Sequence, residues 1–216
     1  MANRPYKLIV FDFDGTLVDA GAPIVAAMNH ALENGGYPAR SRDEIWAHVG
    51  TSLPLILDEL SGGGRTPAEL DALTRAYRAH FAEAAPGMTR LFDGVPEMIA
   101  RLRGAGALLS VATNRGRASL EQILEAHDLA GAFSFLVGGY CVDEPKPHPE
   151  MMLRTLAHFG CAATDALMVG DTVHDMQMAR AAGVDACAVT WGAHTEAMLR
   201  AESPRYVVHA PEKIGE

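Results

Sequence analysis

The chain has 216 residues and a formal net charge of −9 at pH 7, because 27 acidic residues outnumber 18 lysines and arginines. With 49% hydrophobic and 21% charged residues it can build a core, which excludes a disordered segment, and its length predicts one domain or one domain with a large insertion. Such an acidic chain lacks the basic surface that nucleic acids and anionic membranes require, so we expect neither as a partner.

A helical segment interrupts the chain after the first predicted strand. The apolar run at 7–13 predicts a buried strand. Residues 17–89 then break the alternation of strands and helices, and between residues 22 and 85 we find no convincing strand, only helical stretches separated by glycines. The last of these stretches opens with Thr66, Pro67 and Glu69, a capping box with proline at the first helical position. We therefore predict an inserted all-helical subdomain at 17–89.

Strands and helices alternate through the rest of the chain. From residue 90 onward the pattern predicts a helix at 95–107, a strand at 108–114, a helix at about 117–129, a strand at 133–139, a helix at 149–160, a strand at 166–171, a helix ending at Gly183, a strand at 184–191, and a last helix before a strand at 206–210. Such alternation is typical of a parallel sheet covered by helices on both faces. We predict an α/β fold with a Rossmann-like parallel-sheet core domain at 1–16 and 90–216.

Cysteines and apolar runs favour a cytoplasmic protein. Cys141, Cys161 and Cys187 are odd in number and far apart, which favours free thiols in a reducing compartment over a disulfide framework or a zinc site. The first apolar run is cut short by Asp12, and no later segment reaches the roughly 18 apolar residues of a membrane span.

Two aspartates follow the first predicted strand, in the segment Asp12-Phe13-Asp14-Gly15-Thr16. Residues two apart on an extended strand point to the same side, so both carboxylates would converge where the strand ends. Burying such a pair is costly unless a cation is present. An EF-hand calcium loop is excluded, because Leu17 and Pro23 stand where it needs glycine and glutamate. A simple turn stays open for this segment taken alone.

A second acidic pair, Asp171 and Asp175, follows the apolar run at 167–169. Open parallel sheets bind ligands at the carboxyl ends of their strands, where Asp171 is expected. The pair alone is equally consistent with helix capping and with a favourable interaction with the helix dipole. Together with Asp12 and Asp14, however, it makes four carboxylates, which are typical of an octahedral, oxygen-rich Mg²⁺ site.

Two further segments offer groups that suit an anion. Thr113 and Asn114 end a predicted strand before a helix N-terminus, where a hydroxyl and an amide fit a phosphate oxygen, although these residues alone are more often a capping pair. Lys146 lies in a loop whose flanking prolines restrict its backbone. The chain has only three lysines, and this is the one at the predicted catalytic edge, although a solvated loop lysine is the commoner case.

Taken in order, the motifs DFDGT, TN, KP and GDTVHD resemble those of the haloacid dehalogenase superfamily of phosphohydrolases, across residues 12–175. The helical segment resembles that superfamily's helical cap, and the stretches DGTLVD, KPHPE and GDTVHD look most like those of phosphoglycolate phosphatases. The resemblance implies a Mg²⁺-dependent phosphatase that hydrolyses a small-molecule phosphate monoester, with a phosphoglycolate-like substrate favoured.

The resemblance also implies a role for each acidic residue. Asp12 would be the nucleophile that forms an aspartyl-phosphate. Asp14 would be the general acid to the leaving oxygen and then the general base to the hydrolytic water. Mg²⁺ would be held by Asp12, the backbone carbonyl of Asp14 and Asp171, with Asp175 supporting the site.

The remaining motif residues would handle the phosphoryl group. By the same resemblance, Thr113, Asn114 and Lys146 would neutralise and position its oxygens together with the metal. The acidity of the chain therefore does not exclude a phosphorylated metabolite as its partner. It predicts that binding such a metabolite requires the metal.

Other chemistries of the superfamily can be weighed on the sequence. A dehalogenase uses neither a metal nor a second acid, so Asp14 and Asp171 argue against it. A phosphonate-cleaving relative needs a lysine in its cap, and residues 17–89 contain none. A sugar phosphomutase shares all four motifs and stays an alternative. A catalytically inactive phosphate-binding protein is a second alternative, disfavoured because Asp12, Asp14 and Lys146 are all present.

The leaving group is the least determined feature. A cap that closes over the site favours a small soluble ester, with pyrophosphate and sugar phosphates open beside phosphoglycolate. The candidate cap residues for contact with the leaving group are Trp46, His48, Thr51, Ser52 and Arg65. The alternative is that Trp46 packs in the core and Arg65 is solvated. The oligomeric state is not indicated by the sequence.

Overall fold

A six-stranded parallel sheet forms the centre of the computed structural model, which describes residues 6–139 and 141–215. In chain order, the strands are β1 (Leu8–Phe11), β2 (Val18–Asp19), β3 (Arg90–Leu91), β4 (Leu108–Ala112), β5 (Phe135–Val137), β6 (Ala166–Gly170), β7 (Asp185–Val189) and β8 (Tyr206–Val208). The strand order of the sheet is β5-β4-β1-β6-β7-β8, and β2 and β3 form a separate antiparallel pair.

Helices connect the strands and cover the sheet. They are α1 (Gly21–Asn34), α2 (Arg42–Trp46), α3 (Leu53–Leu60), α4 (Pro67–Met88), α5 (Val95–Gly104), α6 (Arg117–Ala126), α7 (Glu150–Phe159), α8 (Val173–Ala181) and α9 (Glu196–Ala201). This architecture confirms the predicted α/β fold with a parallel-sheet core and helical insertion. Within the described ranges, no helix has the length and apolar character needed to cross a lipid bilayer.

The central strand β1 is buried on both of its faces, which explains its unbroken apolar sequence. Ile9 and Phe11 pack in one hydrophobic cluster, and Leu8 and Val10 pack in a second cluster on the opposite face. Successive side chains of a strand point to opposite faces, so a strand covered on both sides needs an apolar residue at every position. The strand ends at Phe11, and Asp12, which follows it directly, is the first polar side chain after this run.

Three strands deliver motif residues to the same edge of the sheet. β1 lies between β4 and β6 and runs parallel to both. The residues that follow these strands, Asp12, Thr113 and Asp171, therefore lie side by side at the carboxyl edge. The backbone N–H of Asp12 continues the pairing by donating to the carbonyl of Val169 at 2.8 Å.

Helices α1 to α4 form an insert between β2 and β3, which we call the helical insert. The two short strands pair antiparallel, Val18 with Leu91, where the chain leaves and re-enters the sheet domain. Inside the insert α1 packs along α4. The capping box predicted for the start of α4 is confirmed, because the Thr66 hydroxyl accepts from the backbone of Glu69 and the Glu69 carboxylate accepts from the backbone of Thr66.

The division of the chain into a core at 1–16 and 90–216 and an insert at 17–89 stays a prediction. Of these ranges, residues 1–5, 140 and 216 lie outside the described residues. β2 and β3 were not predicted, because two-residue strands are too short to produce an alternating pattern in the sequence.

Candidate active site

Three buried carboxylates meet at the carboxyl edge of the sheet. Asp12 follows β1, Asp171 follows β6, and Asp175 lies in the first turn of α8. One oxygen from each of the three lies within 4.8 Å of the others. Asp175 is placed by a capping box in which the Thr172 backbone N–H and hydroxyl both donate to its Oδ2, at 3.0 and 2.7 Å. Asp175 therefore both takes part in capping α8 and joins the cluster.

Lys146 is the cation of this cluster. Its Nζ donates to Asp12 Oδ1 at 2.7 Å and to Asp175 Oδ1 at 2.5 Å. Only 1% of the lysine side chain is exposed. The backbone N–H of Lys146 donates to Asn114 Oδ1 at 3.1 Å, which anchors the proline-flanked loop to the end of β4. One ammonium group thus faces carboxylates from two different elements.

Asp171 is buried without a cationic partner among the residues that the structure describes. Its Oδ1 accepts from the Thr16 hydroxyl at 2.8 Å, and its Oδ2 accepts from the backbone N–H of Ala193 at 2.7 Å. A Cβ atom at Gly15 or at Gly192 would overlap Asp171 Oδ2, so both positions need glycine for the chain to approach this carboxylate.

Burial makes the negative charge of this cluster costly. It raises the pKa of Asp12 to about 7, an effect that Lys146 opposes and the Asp175 charge reinforces. It also raises the pKa of Asp171 well above its usual value, with the charges of Asp12 and Asp175 adding to the effect. Lys146 pairs with two of these three buried carboxylates and no cation pairs with Asp171 among the described residues, so the cluster lacks compensating charge, which a bound divalent cation would supply.

The donor set fits a hard cation such as Mg²⁺. Carboxylate oxygens are the ligands such ions take, and Asp12 and Asp171 come from adjacent strand ends. Both Asp175 oxygens already accept hydrogen bonds, from Lys146 and from Thr172. This arrangement suits a supporting residue better than a direct ligand.

Asp14 is paired with an arginine, Arg115, whose role was not predicted from the sequence. Arg115 Nε donates to Asp14 Oδ2 at 2.7 Å, and Arg115 Nη2 donates to Asp14 Oδ1 at 2.5 Å. Burial works to lower the pKa of Arg115, but the facing Asp14 carboxylate outweighs it and raises the pKa. The one sequence signal was its position directly after Asn114, at the carboxyl edge of the sheet.

The structure places Thr113 and Asn114 at the same edge but gives them different surroundings. Thr113 is buried, and its hydroxyl accepts from the backbone N–H of Arg115 at 3.2 Å. The Asn114 amide donates to the carbonyl of Gly50 in the helical insert at 2.8 Å, and its oxygen accepts from Lys146. Asn114 therefore ties the insert to the lysine loop in this arrangement.

A cavity of about 620 Å³ lies between the core and the helical insert, above these residues. Its polar floor comes from the core and includes Asp12, Asp14, Thr113, Asn114 and Lys146. Its wall from the insert is mostly apolar, and includes Ile24, Met28, Val49, Leu53, Ile56 and Phe81, but Tyr77 and Arg78 of α4 also line it. All the residues predicted for catalysis and phosphate binding therefore border one space that the insert covers.

Of the five predicted leaving-group residues, the structure brings Thr51 to the cavity and Ser52 to an adjoining small cleft. The Thr51 hydroxyl donates to the carbonyl of His48 at 2.9 Å. The cleft of Ser52 is also lined by Asn114 and Pro145, so it borders the lysine loop.

The other three candidates do not line this cavity in the structure, and their contact with the leaving group stays a prediction. Trp46 packs against the hydrophobic core, with Arg42 over its ring. His48 Nδ1 pairs with Glu59 on α3 at 2.7 Å. Arg65 donates to the carbonyl of Gly63 and to the Tyr37 hydroxyl. These side chains are occupied by contacts within the insert itself.

Comparison with known proteins gives a consistent result at the level of family and fold. Residues 9–189 match the sequence model of the family described as haloacid dehalogenase-like hydrolase. A protein of Dickeya dadantii named "Probable phosphatase IndB" is 40% identical over 205 residues, which cover 93% of this chain and 88% of that protein. A "Phosphoglycolate phosphatase" of Mesorhizobium japonicum is 32% identical over 209 residues, which cover 95% and 91%.

Solved structures have the same fold. The crystal structure of "a predicted phosphoglycolate phosphatase from haemophilus somnus" matches with a TM-score of 0.89 at 26% sequence identity, covering 97% of this chain and 96% of that one. The match extends over the sheet and the helical insert alike, since nearly all of both chains is covered.

Proposed function

The chain belongs to the haloacid dehalogenase-like hydrolase family, and from this premise we propose that it hydrolyses a small-molecule phosphate monoester with Mg²⁺, through an aspartyl-phosphate on Asp12. At the coarser level it is a phosphatase of that family, similar to phosphoglycolate phosphatases. The main support for the metal and for the aspartyl-phosphate is the buried cluster of Asp12, Asp171 and Asp175. This cluster lies at the floor of the cavity and faces a single ammonium group, that of Lys146.

Asp12 has the surroundings that a nucleophile needs. Lys146 fixes its Oδ1, and among the described residues no group donates to its Oδ2, which leaves one oxygen for the substrate. In the first step that oxygen bonds to phosphorus while the bond from phosphorus to the ester oxygen breaks. Asp14, which lines the same cavity, gives its proton to the departing oxygen, so the product leaves as a neutral alcohol.

The second step regenerates the enzyme. Water attacks the phosphorus of the aspartyl-phosphate, and Asp14 takes the proton that the water loses. The bond between phosphorus and Asp12 breaks, which releases inorganic phosphate and restores the carboxylate. Lys146 Nζ and the Thr113 hydroxyl, both at the floor, would hold the phosphoryl oxygens in both steps, while Asn114 would keep the Lys146 loop in place.

Asp12, Asp171 and the Asp14 backbone carbonyl would hold Mg²⁺, and Asp175 would support the site through Lys146. When bound, the ion would neutralise phosphoryl oxygens and so stabilise the transition state. The chemistry of the donor set supports this assignment, because the buried carboxylates exceed the cationic groups that face them.

The cavity limits the size of the substrate. Residues 17–89, which we propose as the extent of the cap, cover the catalytic floor and leave space for a small phosphorylated metabolite. Phosphoglycolate is the first ester to test, because similar proteins are named phosphoglycolate phosphatase. The largely apolar wall of Met28 and Ile56 also offers room for an ester with a larger apolar body. A cytoplasmic location stays a prediction that the free cysteines favour.

A hydrolysis assay tests the proposal. We expect the purified protein to release phosphate from p-nitrophenyl phosphate with Mg²⁺, and to lose this activity with EDTA or in the Asp12→Asn variant. Asp71→Asn, an exposed acidic position on α4, is the matched control and should keep full activity. No turnover by the intact protein, or turnover that survives EDTA and Asp12→Asn, would contradict the proposed function.

A further inference from the structure

Arg115 forms a bidentate ion pair with Asp14, and none of the sequence motifs gives Arg115 a role. Two guanidinium nitrogens donate to the two carboxylate oxygens, at 2.7 and 2.5 Å. Among the described residues, no other group donates to the Asp14 carboxylate. Such a fork fixes the plane of a carboxylate as well as its position, which a lysine ammonium group cannot do. The placement of the Asp14 side chain therefore depends on this one residue.

Arg115 is itself held from three directions. Its third nitrogen, Nη1, donates to the Ser119 hydroxyl on α6 at 2.9 Å. Its guanidinium carbon lies 4.2 Å from the ring centroid of Phe81 on α4 and 6.0 Å from that of Phe13. Only 7% of its side chain is exposed. The guanidinium group thus connects an acid of the core with a helix of the helical insert.

We propose that Arg115 is a positioning residue: when Asp14 carries the proton, one of its oxygens still accepts from Arg115 while the other, as a hydroxyl, faces the leaving oxygen. Once that proton has left, the two-bond pair forms again, and Phe81 fixes Arg115 for this task. This inference rests on the acid and base role proposed above for Asp14. A proton donor acts only within hydrogen-bond reach of its acceptor, so a carboxylate that can rotate freely loses part of its effect. Stacking on Phe81 makes the placement of Asp14 depend on the helical insert lying over the site.

Leaving-group dependence tests this role. p-Nitrophenolate leaves readily and needs little protonation, whereas an alkoxide needs a proton from the enzyme. Arg115→Met should lower kcat for an alkyl phosphate by about 100-fold or more, the usual contribution of a positioned acid, but lower kcat for p-nitrophenyl phosphate by less than about tenfold. The alkyl probe is whichever of phosphoglycolate, glycerol 3-phosphate and glucose 6-phosphate the intact enzyme hydrolyses fastest.

Two further variants separate positioning from folding. Arg115→Lys keeps the charge without the fork and should restore part of the alkyl phosphate activity. Phe81→Leu keeps the ion pair and should also lower kcat more for the alkyl phosphate than for p-nitrophenyl phosphate, but by a smaller factor than Arg115→Met. This variant tests the proposal if Arg115→Met does not fold. Arg200→Met is the control, because Arg200 forms an exposed pair with Glu196 on α9. An equal loss on both esters in these variants would overturn the proposal.

A double-mutant cycle with Asp14→Asn provides the decisive comparison. If Arg115 acts through Asp14, adding Arg115→Met to Asp14→Asn should lower alkyl phosphate turnover by less than about threefold further, whereas independent effects would multiply. Multiplying effects would refute the positioning role. The Asp12→Asn assay does not involve Arg115. If Asp12→Asn abolishes activity but the effects of Arg115→Met and Asp14→Asn multiply, the proposed function stands and only the positioning role of Arg115 is refuted.

Discussion

The core and the helical insert border one cavity, and the core contributes most of its charged groups whereas the insert contributes most of its apolar ones. The core supplies a charged floor at the ends of parallel strands, including Asp12, Lys146 and Arg115. The insert supplies a largely apolar wall, including Met28 and Ile56. We infer that the floor performs phosphoryl transfer and that the wall selects the leaving group. Substitutions in the two regions should therefore change different kinetic quantities, and the predictions below test this division.

The largest effect is expected at the floor, at the lysine of the carboxylate cluster. Lys146→Met leaves buried carboxylates without their cation, and should lower the free energy of unfolding by about 3–5 kcal/mol. It should also lower kcat by about 100-fold or more, as loss of an oxyanion-stabilising donor does. Thermal melting and p-nitrophenyl phosphate kinetics measure the two effects.

Lys7 offers a matched control for this variant. It pairs with Asp165 at 2.8 Å, close to the 2.7 Å of the Lys146–Asp12 pair, but its side chain is 61% exposed. Exposed pairs contribute at most about 1 kcal/mol, so Lys7→Met should change stability little. If Lys146→Met and Lys7→Met lowered the free energy of unfolding equally, burial would not explain the greater importance of the Lys146 pair.

Metal removal should reveal the excess negative charge of the floor. Burial raises the pKa of Asp12 to about 7 and raises that of Asp171. Between the usual carboxyl pKa and these raised values, the folded state of the EDTA-treated protein holds protons that the unfolded chain has lost. Its stability should therefore fall as pH rises from about 4 to 7, the sign opposite to that of a salt-bridged carboxylate.

Mg²⁺ should offset this loss where the carboxylates are charged. At 100 times its dissociation constant the ion adds about 2.7 kcal/mol, which raises Tm by about 5–10 °C in a chain of this size. The rise should be larger at pH 8 than at pH 5.5, where protons compete, and should largely vanish in Asp171→Asn. A rise of equal size in that variant, or a larger rise at pH 5.5, would place the metal elsewhere.

A smaller and different effect is expected at the wall. Ile56→Val removes one methylene group from the cavity lining, and should change the ratio of kcat/KM between a bulky and a small ester by about tenfold. The kcat for p-nitrophenyl phosphate should stay nearly constant. Ile99→Val, a buried position on α5 away from the cavity, serves as the control. Equal changes for all esters would mean that the wall does not select the leaving group.

The smallest effect is expected within the insert, away from the cavity. Arg65 contacts Gly63 and Tyr37, so Arg65→Met should change kcat/KM by less than about twofold for every ester. A steady-state ester panel measures this directly. A selective loss for one ester would show that Arg65 reaches the leaving group after all.

The grouping of the charged floor residues could be predicted from the sequence because their placement follows from local rules. An apolar run that stops at Asp12 or Asp171 marks the end of a buried strand, and parallel strands end at one edge. Arg115 escaped prediction because its partners are distant in sequence. Asp14 precedes it by 101 positions, and Phe81 belongs to the helical insert. No local pattern contains those contacts.

It was harder to predict which residues of the insert face the cavity, because this depends on how the insert sits on the core. A polar residue in a helix–loop segment can face either the cavity or its own subdomain. Thr51 lines the cavity, whereas His48, three residues earlier, pairs with Glu59. Composition does not distinguish these two outcomes, since both side chains are polar and lie in the same loop region.

Trapping the proposed intermediate tests the central claim most directly. Borohydride reduces an acyl phosphate but not a free carboxylate, so an aspartyl-phosphate becomes homoserine. Protein quenched during turnover with Mg²⁺ and p-nitrophenyl phosphate, then reduced, digested and analysed by mass spectrometry, should carry homoserine at position 12. Protein quenched without substrate should keep Asp12 unchanged. Homoserine at another position, or an unmodified Asp12 under steady turnover, would contradict the account.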